Sequence, residues 1–191
     1  MVDGIDKLKK IGLFDSGIGG FSLLNQLIVD FPGFEFFYIA DDEAAPYGNK
    51  STEEVKQRAV IIVELLLKEK VDLIIVACNT ATSLAIDYLR SKFDIKFVGV
   101  EPFVNALHKL KFDFIKDKIA VLTTKSMYES NRFKSLLDKY DHKQLLSPLN
   151  VPRLASIIED LYKDGVRPDL INDLAQELVE LNQGSFTHVI L

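Results

Sequence analysis

This 191-residue chain has one cysteine, Cys78, only three histidines, no tryptophan and no long apolar run. A lone thiol cannot close an intrachain disulfide, and one cysteine with scattered histidines has no zinc-ligand spacing, so disulfide-knot and structural-zinc classes are excluded. No uninterrupted apolar stretch approaches the roughly 18 residues that would argue for a membrane span. The mostly polar Met1 to Lys10, followed by the short run Ile11 to Phe14, does not read as a signal peptide. The expected location is the cytoplasm. An excess of positive charge is also missing: 23 Lys and Arg stand against 28 Asp and Glu, a net charge of −5. That gives no electrostatic reason to expect nucleic acid or an anionic membrane as partner. With 48% hydrophobic residues, 10 Gly and 6 Pro, the composition is neither collagenous nor disordered. A small soluble ligand is the default partner.

What is present is an alternation. Short apolar runs, at Ile11 to Phe14, Phe36 to Ile39, Leu73 to Ala77, Phe97 to Val100, Ile119 to Leu122 and Val189 to Leu191, read as buried parallel strands. Helix-like stretches separate them, over about Phe21 to Phe31, Thr80 to Phe93, Ser126 to Tyr140 and Leu154 to Lys163. Ser51 with Glu54 forms a capping-box pattern ahead of Val55, Ala59, Ile62, Val63 and Leu66 at helical spacing. Pro168 and Asp169 start a last helix with Leu170, Leu174, Leu178 and Leu181 along one face. Strand then helix, repeated, predicts an α/β fold with mainly parallel open sheets. A weak internal echo adds detail. Lys10 to Ser16 resembles Lys118 to Thr124, and Leu73 to Val76 can be laid on His188 to Leu191. The echo predicts two similar α/β lobes, residues 1–102 and 103–191.

In open α/β sheets, ligands bind beyond the carboxyl ends of the strands. Three polar clusters fall there. Asp15-Ser16-Gly17-Ile18-Gly19-Gly20 joins a strand to a helix, and its glycines and free N–H groups would suit an anion. A dinucleotide fingerprint, however, needs a third Gly where this chain has Ser22. Cys78-Asn79-Thr80 ends the most apolar strand just before a helix. Burial there raises a thiol pKa while a helix N-terminus lowers it, so the sign stays open; Thr80 can equally be a plain N-cap. The third cluster, Asp41 to Gly48, combines carboxylates with a rigid Pro-Tyr-Gly turn, and its bland reading is a solvated acidic loop. His108, on a helical stretch, His142, in a polar turn, and His188, opening the last strand, are not placed for a triad.

Four ordered segments carry a resemblance: Ile11 to Gly20, Pro46 to Ser51, Ala77 to Ala81 and Val98 to Pro102. In that order and at that spacing they look like glutamate racemase, densely from about Lys10 to Pro102 and more thinly to Leu191. The resemblance implies two α/β lobes with the amino acid between them. It implies cofactor-independent interconversion of L- and D-glutamate, an isomerase activity that feeds peptidoglycan biosynthesis and so cell-wall biogenesis and cell shape. Inverting a stereocentre through a planar carbanion needs one group to remove the Cα proton and another to return a proton on the opposite face. In the family both are cysteines. Carried over by position, Cys78 resembles the first acid/base and Asp15 the carboxylate assisting it. Ser16, Pro46, Tyr47, Gly48, Asn79, Thr80 and Thr124 resemble substrate contacts. No metal is implied, and a homodimer is an assembly the resemblance allows.

The departures shape the expectation. The family's second motif, Gly-Cys-Thr-His, follows a strand like His188 to Leu191, and the sequence stops on that strand. The second lobe and the C-terminal return are thus expected to be incomplete, and Thr187-His188 is not that motif. Met127 stands where a Thr is usual, the loop Asp41 to Ala45 lacks an Arg, and Leu154-Ala155-Ser156 falls where relatives carry an acidic residue, with Glu159 further along. With one thiol, the 191-residue chain is expected to be impaired as a racemase alone. The alternatives are a non-catalytic amino-acid-binding or regulatory homologue, and a nucleotide-binding domain built on the Asp15 to Gly20 turn.

Overall fold

The computed structural model describes residues 9–102, 104, 118–141 and 145–191. The expectations placed on His108 and His142 fall outside these residues. The chain divides into two compact units, Met1–Val100 and Glu101–Leu191.

In the first unit β1 (Lys10–Asp15), β2 (Glu35–Ala40), β3 (Leu73–Val76) and β4 (Lys96–Gly99) form one parallel sheet in the order β2-β1-β3-β4. Successive strand residues point to opposite faces, and the packing follows that period of two. Ile11, Leu13 and Ile75 face α1 (Gly20–Asp30) through Leu23, Leu24 and Leu27. Phe14, Ile74 and Val76 face α2 (Thr52–Lys68) and α3 (Asn79–Lys92). From α2, Val55, Ala59, Ile62, Val63 and Leu66 are buried at helical spacing, and Ala81, Ala85, Ile86 and Leu89 are buried from α3. Each large aliphatic side chain so removed from water contributes on the order of 2 kcal/mol. Gly12 suits this close approach, because a Cβ there would lie 3.1 Å from the Leu66 side chain, which would have to shift. The Ser51 capping box is present: Ser51 Oγ accepts from Glu54 N, and the Glu54 carboxylate accepts from Ser51 N at 2.9 Å.

In the second unit β5 (Ile119–Thr123), β6 (Leu146–Asn150) and β7 (His188–Ile190) form a parallel sheet in the order β6-β5-β7. Among the described residues its helices are α4 (Lys125–Glu129), α5 (Asn131–Tyr140), α6 (Leu154–Asp164), α7 (Pro168–Glu177) and α8 (Val179–Gln183). Val104, Ile119, Val121, Met127, Phe133 and Leu146 make one core cluster. Ala120, Leu122 and Val151 make another, with Leu178, Leu181 and Phe186 against it. The order β6-β5-β7 repeats β2-β1-β3, with β5 in the place of β1 and β7 in the place of β3. These are the strands linked by the sequence echo.

Four local expectations are corrected. Ser126 to Tyr140 is not one helix. Ser130 adopts an extended backbone, its Oγ accepts from Phe133 N at 3.1 Å, and it caps a new helix. The leucine-lined stretch from Pro168 likewise breaks at Leu178 into α7 and α8. Strand β6 went unread because Ser147 and Pro148 interrupt its apolar pattern. Pro148 is tolerated since β6 lies at the edge of this sheet among the described residues, where one side needs no donor. Finally, α3 begins at Asn79, so the residue capping it is Cys78 and not Thr80.

Candidate active site

Parallel winding brings the ends of β1, β2 and β3 side by side. Phe14 is level with Ile39 on one flank and with Val76 on the other, so the loops after Asp15, Ala40 and Val76 leave the sheet together.

Asp15, only 7% exposed, ends β1. Its Oδ1 accepts from Ser16 N and its Oδ2 from Gly20 N, both at 2.8 Å. Two of the turn's N–H groups are therefore already engaged and not held ready for a foreign anion. Those of Ser16 and Gly20 close on the chain's own carboxylate at the start of α1, which is where a helix favours negative charge. A phosphate would meet that charge, so the geometry disfavours the nucleotide reading. Gly20 is needed for close approach: a Cβ there would sit 2.7 Å from Tyr38 Oη and 2.8 Å from Asp15 Cβ. Tyr38, from β2, donates its hydroxyl to the Gly17 carbonyl at 3.0 Å, and its ring stacks on Phe21 with centroids 4.6 Å apart.

Cys78 follows β3. Its thiol donates toward Ser16 Oγ at 3.5 Å, and its Sγ accepts from Ala81 N at 3.4 Å as the cap of α3. Burial, and after it the negative charge of Asp15, push the thiol pKa up to about 12. Hydrogen bonds from Ala81 and Ser16 pull the other way without prevailing. The sign left open by the sequence is thus upward, and the ligand-free thiol is protonated at neutral pH. Beside it, Asn79 Oδ1 is buried and has no hydrogen-bond partner. A carbonyl oxygen withdrawn from water without a donor is costly, and an ammonium or amide donor of a bound molecule would satisfy it. Thr80 is buried at the same helix start.

The third loop carries Pro46, Tyr47 and Gly48, with Tyr47 and Gly48 buried. The Tyr47 hydroxyl donates to Asp41 Oδ2. Asp41 is not part of a solvated acidic loop. It is 5% exposed and gripped by Arg58 of α2, through Nε to Oδ2 at 2.8 Å and through Nη2 to Oδ1. Burial alone would raise its pKa, yet the Arg58 pair, the Tyr47 hydroxyl and the charge of Lys50 together hold the carboxyl below its ordinary range. Burial, then the bond to Asp41, then the fields of Asp41 and Cys78 raise the Tyr47 phenol, keeping it protonated and donating. Sequence reasoning missed Arg58 and the role of Asp41; the signal available was an arginine at helical spacing between Val55 and Ile62 on the apolar face of α2.

Thr124 lies in the second unit, after β5, where its side chain accepts from Met127 N at 3.3 Å as the cap of α4. Met127, in the place of the usual Thr, is core. Glu101 pairs with Arg132 at 2.7 Å in the same unit. His188 opens β7 and is exposed. No helix among the described residues is long and apolar enough to cross a membrane.

Two parallel α/β sheets with the same strand order place the chain in the racemase class of folds, and the chain belongs to the Asp/Glu/Hydantoin racemase family, whose model matches residues 23–191. Within that family the similarity is to glutamate racemase in particular. The enzyme of that name from Lachnospira eligens is 34% identical over 95% of this chain and 68% of its own length. That from Clostridium acetobutylicum is 39% identical over 83% of this chain and 61% of its own. Among solved structures, a Bacillus anthracis glutamate racemase isoform superimposes with a TM-score of 0.75 at 27% identity, covering 95% of this chain and 66% of that one. Escherichia coli glutamate racemase gives a TM-score of 0.82 at 24% identity, a likeness of fold, over 96% of this chain and 68% of that one. The chain thus spans roughly three-fifths to two-thirds of the length of these relatives.

Proposed function

We propose that this chain carries the Cys78 half of a cofactor-independent glutamate racemase site. Cys78 acts as acid and base on one face of the amino-acid Cα, and Asp15 is the carboxylate that assists it. Ser16, Pro46, Tyr47, Gly48, Asn79, Thr80 and Thr124 are substrate contacts. The observation that carries the reading is the Cys78 thiol, buried 3.5 Å from Ser16 Oγ and within the field of Asp15, at the mouth of an inner strand. In the ligand-free state this thiol holds its proton. A bound α-ammonium brings a positive charge between Asp15 and Cys78, stabilises the thiolate and offers a donor to Asn79 Oδ1. The thiolate then takes the Cα proton, the electron pair remains on a carbanion stabilised by surrounding donors, and the proton returns from the same sulfur. Return on the opposite face needs a second acid, and these 191 residues contain one cysteine.

The expected behaviour of the 191-residue polypeptide is therefore exchange of the glutamate Cα proton with little or no net racemisation. In deuterium oxide, loss of the Cα proton signal with retained optical rotation supports this reading. Robust racemisation by the same polypeptide, or exchange undiminished in Cys78→Ser, overturns it. As part of a complete two-thiol site, the chain would supply D-glutamate for peptidoglycan in the cytoplasm. The high pKa of the lone thiol favours one alternative, a non-catalytic amino-acid-binding or regulatory homologue. That homologue would bind glutamate by calorimetry, with affinity insensitive to Cys78→Ser and no exchange.

A further inference from the structure

We propose that Arg58 and Asp41 are positioning residues for the Pro46 to Gly48 turn, acting through the Tyr47 hydroxyl and through the main chain at Asp15. Three observations converge. Arg58 holds both oxygens of the buried Asp41 carboxylate with its rigid fork, and one of those oxygens also accepts the hydrogen bond of the Tyr47 hydroxyl. The Asp41 N–H donates to the Asp15 carbonyl at 2.9 Å, tying the loop after β2 to the end of β1. Lys50 N donates to the Tyr47 carbonyl at 3.1 Å, and the Ser51 capping box follows at once, so the turn is pinned behind by the same helix that carries Arg58. Asp41 thereby joins the turn to α2 through its carboxylate and to the end of β1 through its main chain.

The inference rests on the reading of Pro46 to Gly48 as substrate contacts. A turn that contacts substrate equally in ground and transition states contributes uniform binding, so loosening it raises KM more than it lowers kcat. Arg58→Lys is the sharp variant, because lysine keeps the charge and loses the two-point grip. Tyr47→Phe cuts the link while leaving the Arg58–Asp41 pair in place.

In the full 191-residue chain, both variants are expected to weaken glutamate binding by calorimetry about tenfold, the size of one charge-assisted hydrogen bond. They should also raise KM for Cα-proton exchange more than they change kcat. Amide hydrogen exchange at Tyr47 to Lys50 should quicken while that of β1 and β3 keeps its wild-type rate. Wild-type affinity and wild-type exchange at these amides in Arg58→Lys would overturn the proposal. So would exchange that quickens uniformly over the first unit, the mark of a merely structural pair. If the unmutated chain binds no glutamate, the function proposed above fails, and the amide-exchange comparison still decides whether Arg58 holds the turn.

Discussion

The thiol of Cys78 offers a quantitative test through alkaline stability. Its pKa rises from an ordinary value near 9 to about 12 in the folded, ligand-free chain, from burial first and the Asp15 charge second. A group whose folded pKa is raised contributes stability that is complete below its unfolded pKa and is lost as pH climbs through the folded value. For Cys78 the window is therefore about pH 9 to about pH 12, with a slope of about 1.4 kcal/mol per pH unit within it. Between about pH 8 and about pH 10.5 the loss from this one group is on the order of 2 kcal/mol. Cys78→Ser isolates the effect, since serine does not ionise in this range and is a good residue at a helix cap. Urea denaturation followed at both pH values should show the wild type losing about 2 kcal/mol more than the variant, with the slopes m unchanged. Parallel losses in the two proteins would refute the burial of this thiol within the field of Asp15. Alkylation by iodoacetamide provides a second readout: its rate should keep climbing about tenfold per pH unit beyond pH 9, and saturating glutamate, seated against the thiol, should slow it.

Two further expectations follow from the loops. Asp41→Asn leaves Arg58 and the Tyr47 hydroxyl without their anion and should cost about 2–3 kcal/mol at neutral pH, toward the low end for a buried pair because Arg58 is partly exposed. Because the Asp41 pKa is lowered on folding, its contribution is present above the unfolded value and fades as pH falls through the folded one. Below about pH 4 the wild type should lose stability more steeply than Asp41→Asn, as acid titrations followed by circular dichroism would record. Gly20→Ala forces a Cβ against Tyr38 Oη and Asp15 Cβ and should lower stability by about 1–3 kcal/mol. Tyr38→Phe in the same chain should recover part of that loss, since it removes one of the two clashing groups; thermal melting of the single and double variants is the check.

The strands of the first unit were legible because each is a short apolar run between turn residues, and the capping box because Ser51 and Glu54 stand at the right spacing. Asp15, Cys78 and Tyr47 were legible as candidates because each directly follows a strand or sits in a rigid turn. What escaped was whatever depended on a distant partner. Asp41, in a run of three acidic residues, looks solvated until Arg58, 17 positions away, comes back along α2 to meet it. Gly19 and Gly20 suggest an anion cradle until the anion proves to be Asp15 itself. Ser130 looks like an ordinary helical residue, and only the extended backbone there reveals a cap. Pro148 hides an edge strand by the rule that keeps proline out of central ones.

The level alignment of Phe14 with Ile39 and Val76 turns the sheet into a ruler. Neighbouring strands lie about 4.8 Å apart, so the outer two of the three loop-bearing strands stand about 10 Å from each other. That pitch is a property of backbone hydrogen bonding and cannot be tuned by side-chain substitution. Changes in the lengths, tilts and side chains of the three loops can therefore reshape the mouth while the layers beneath them stay unaltered.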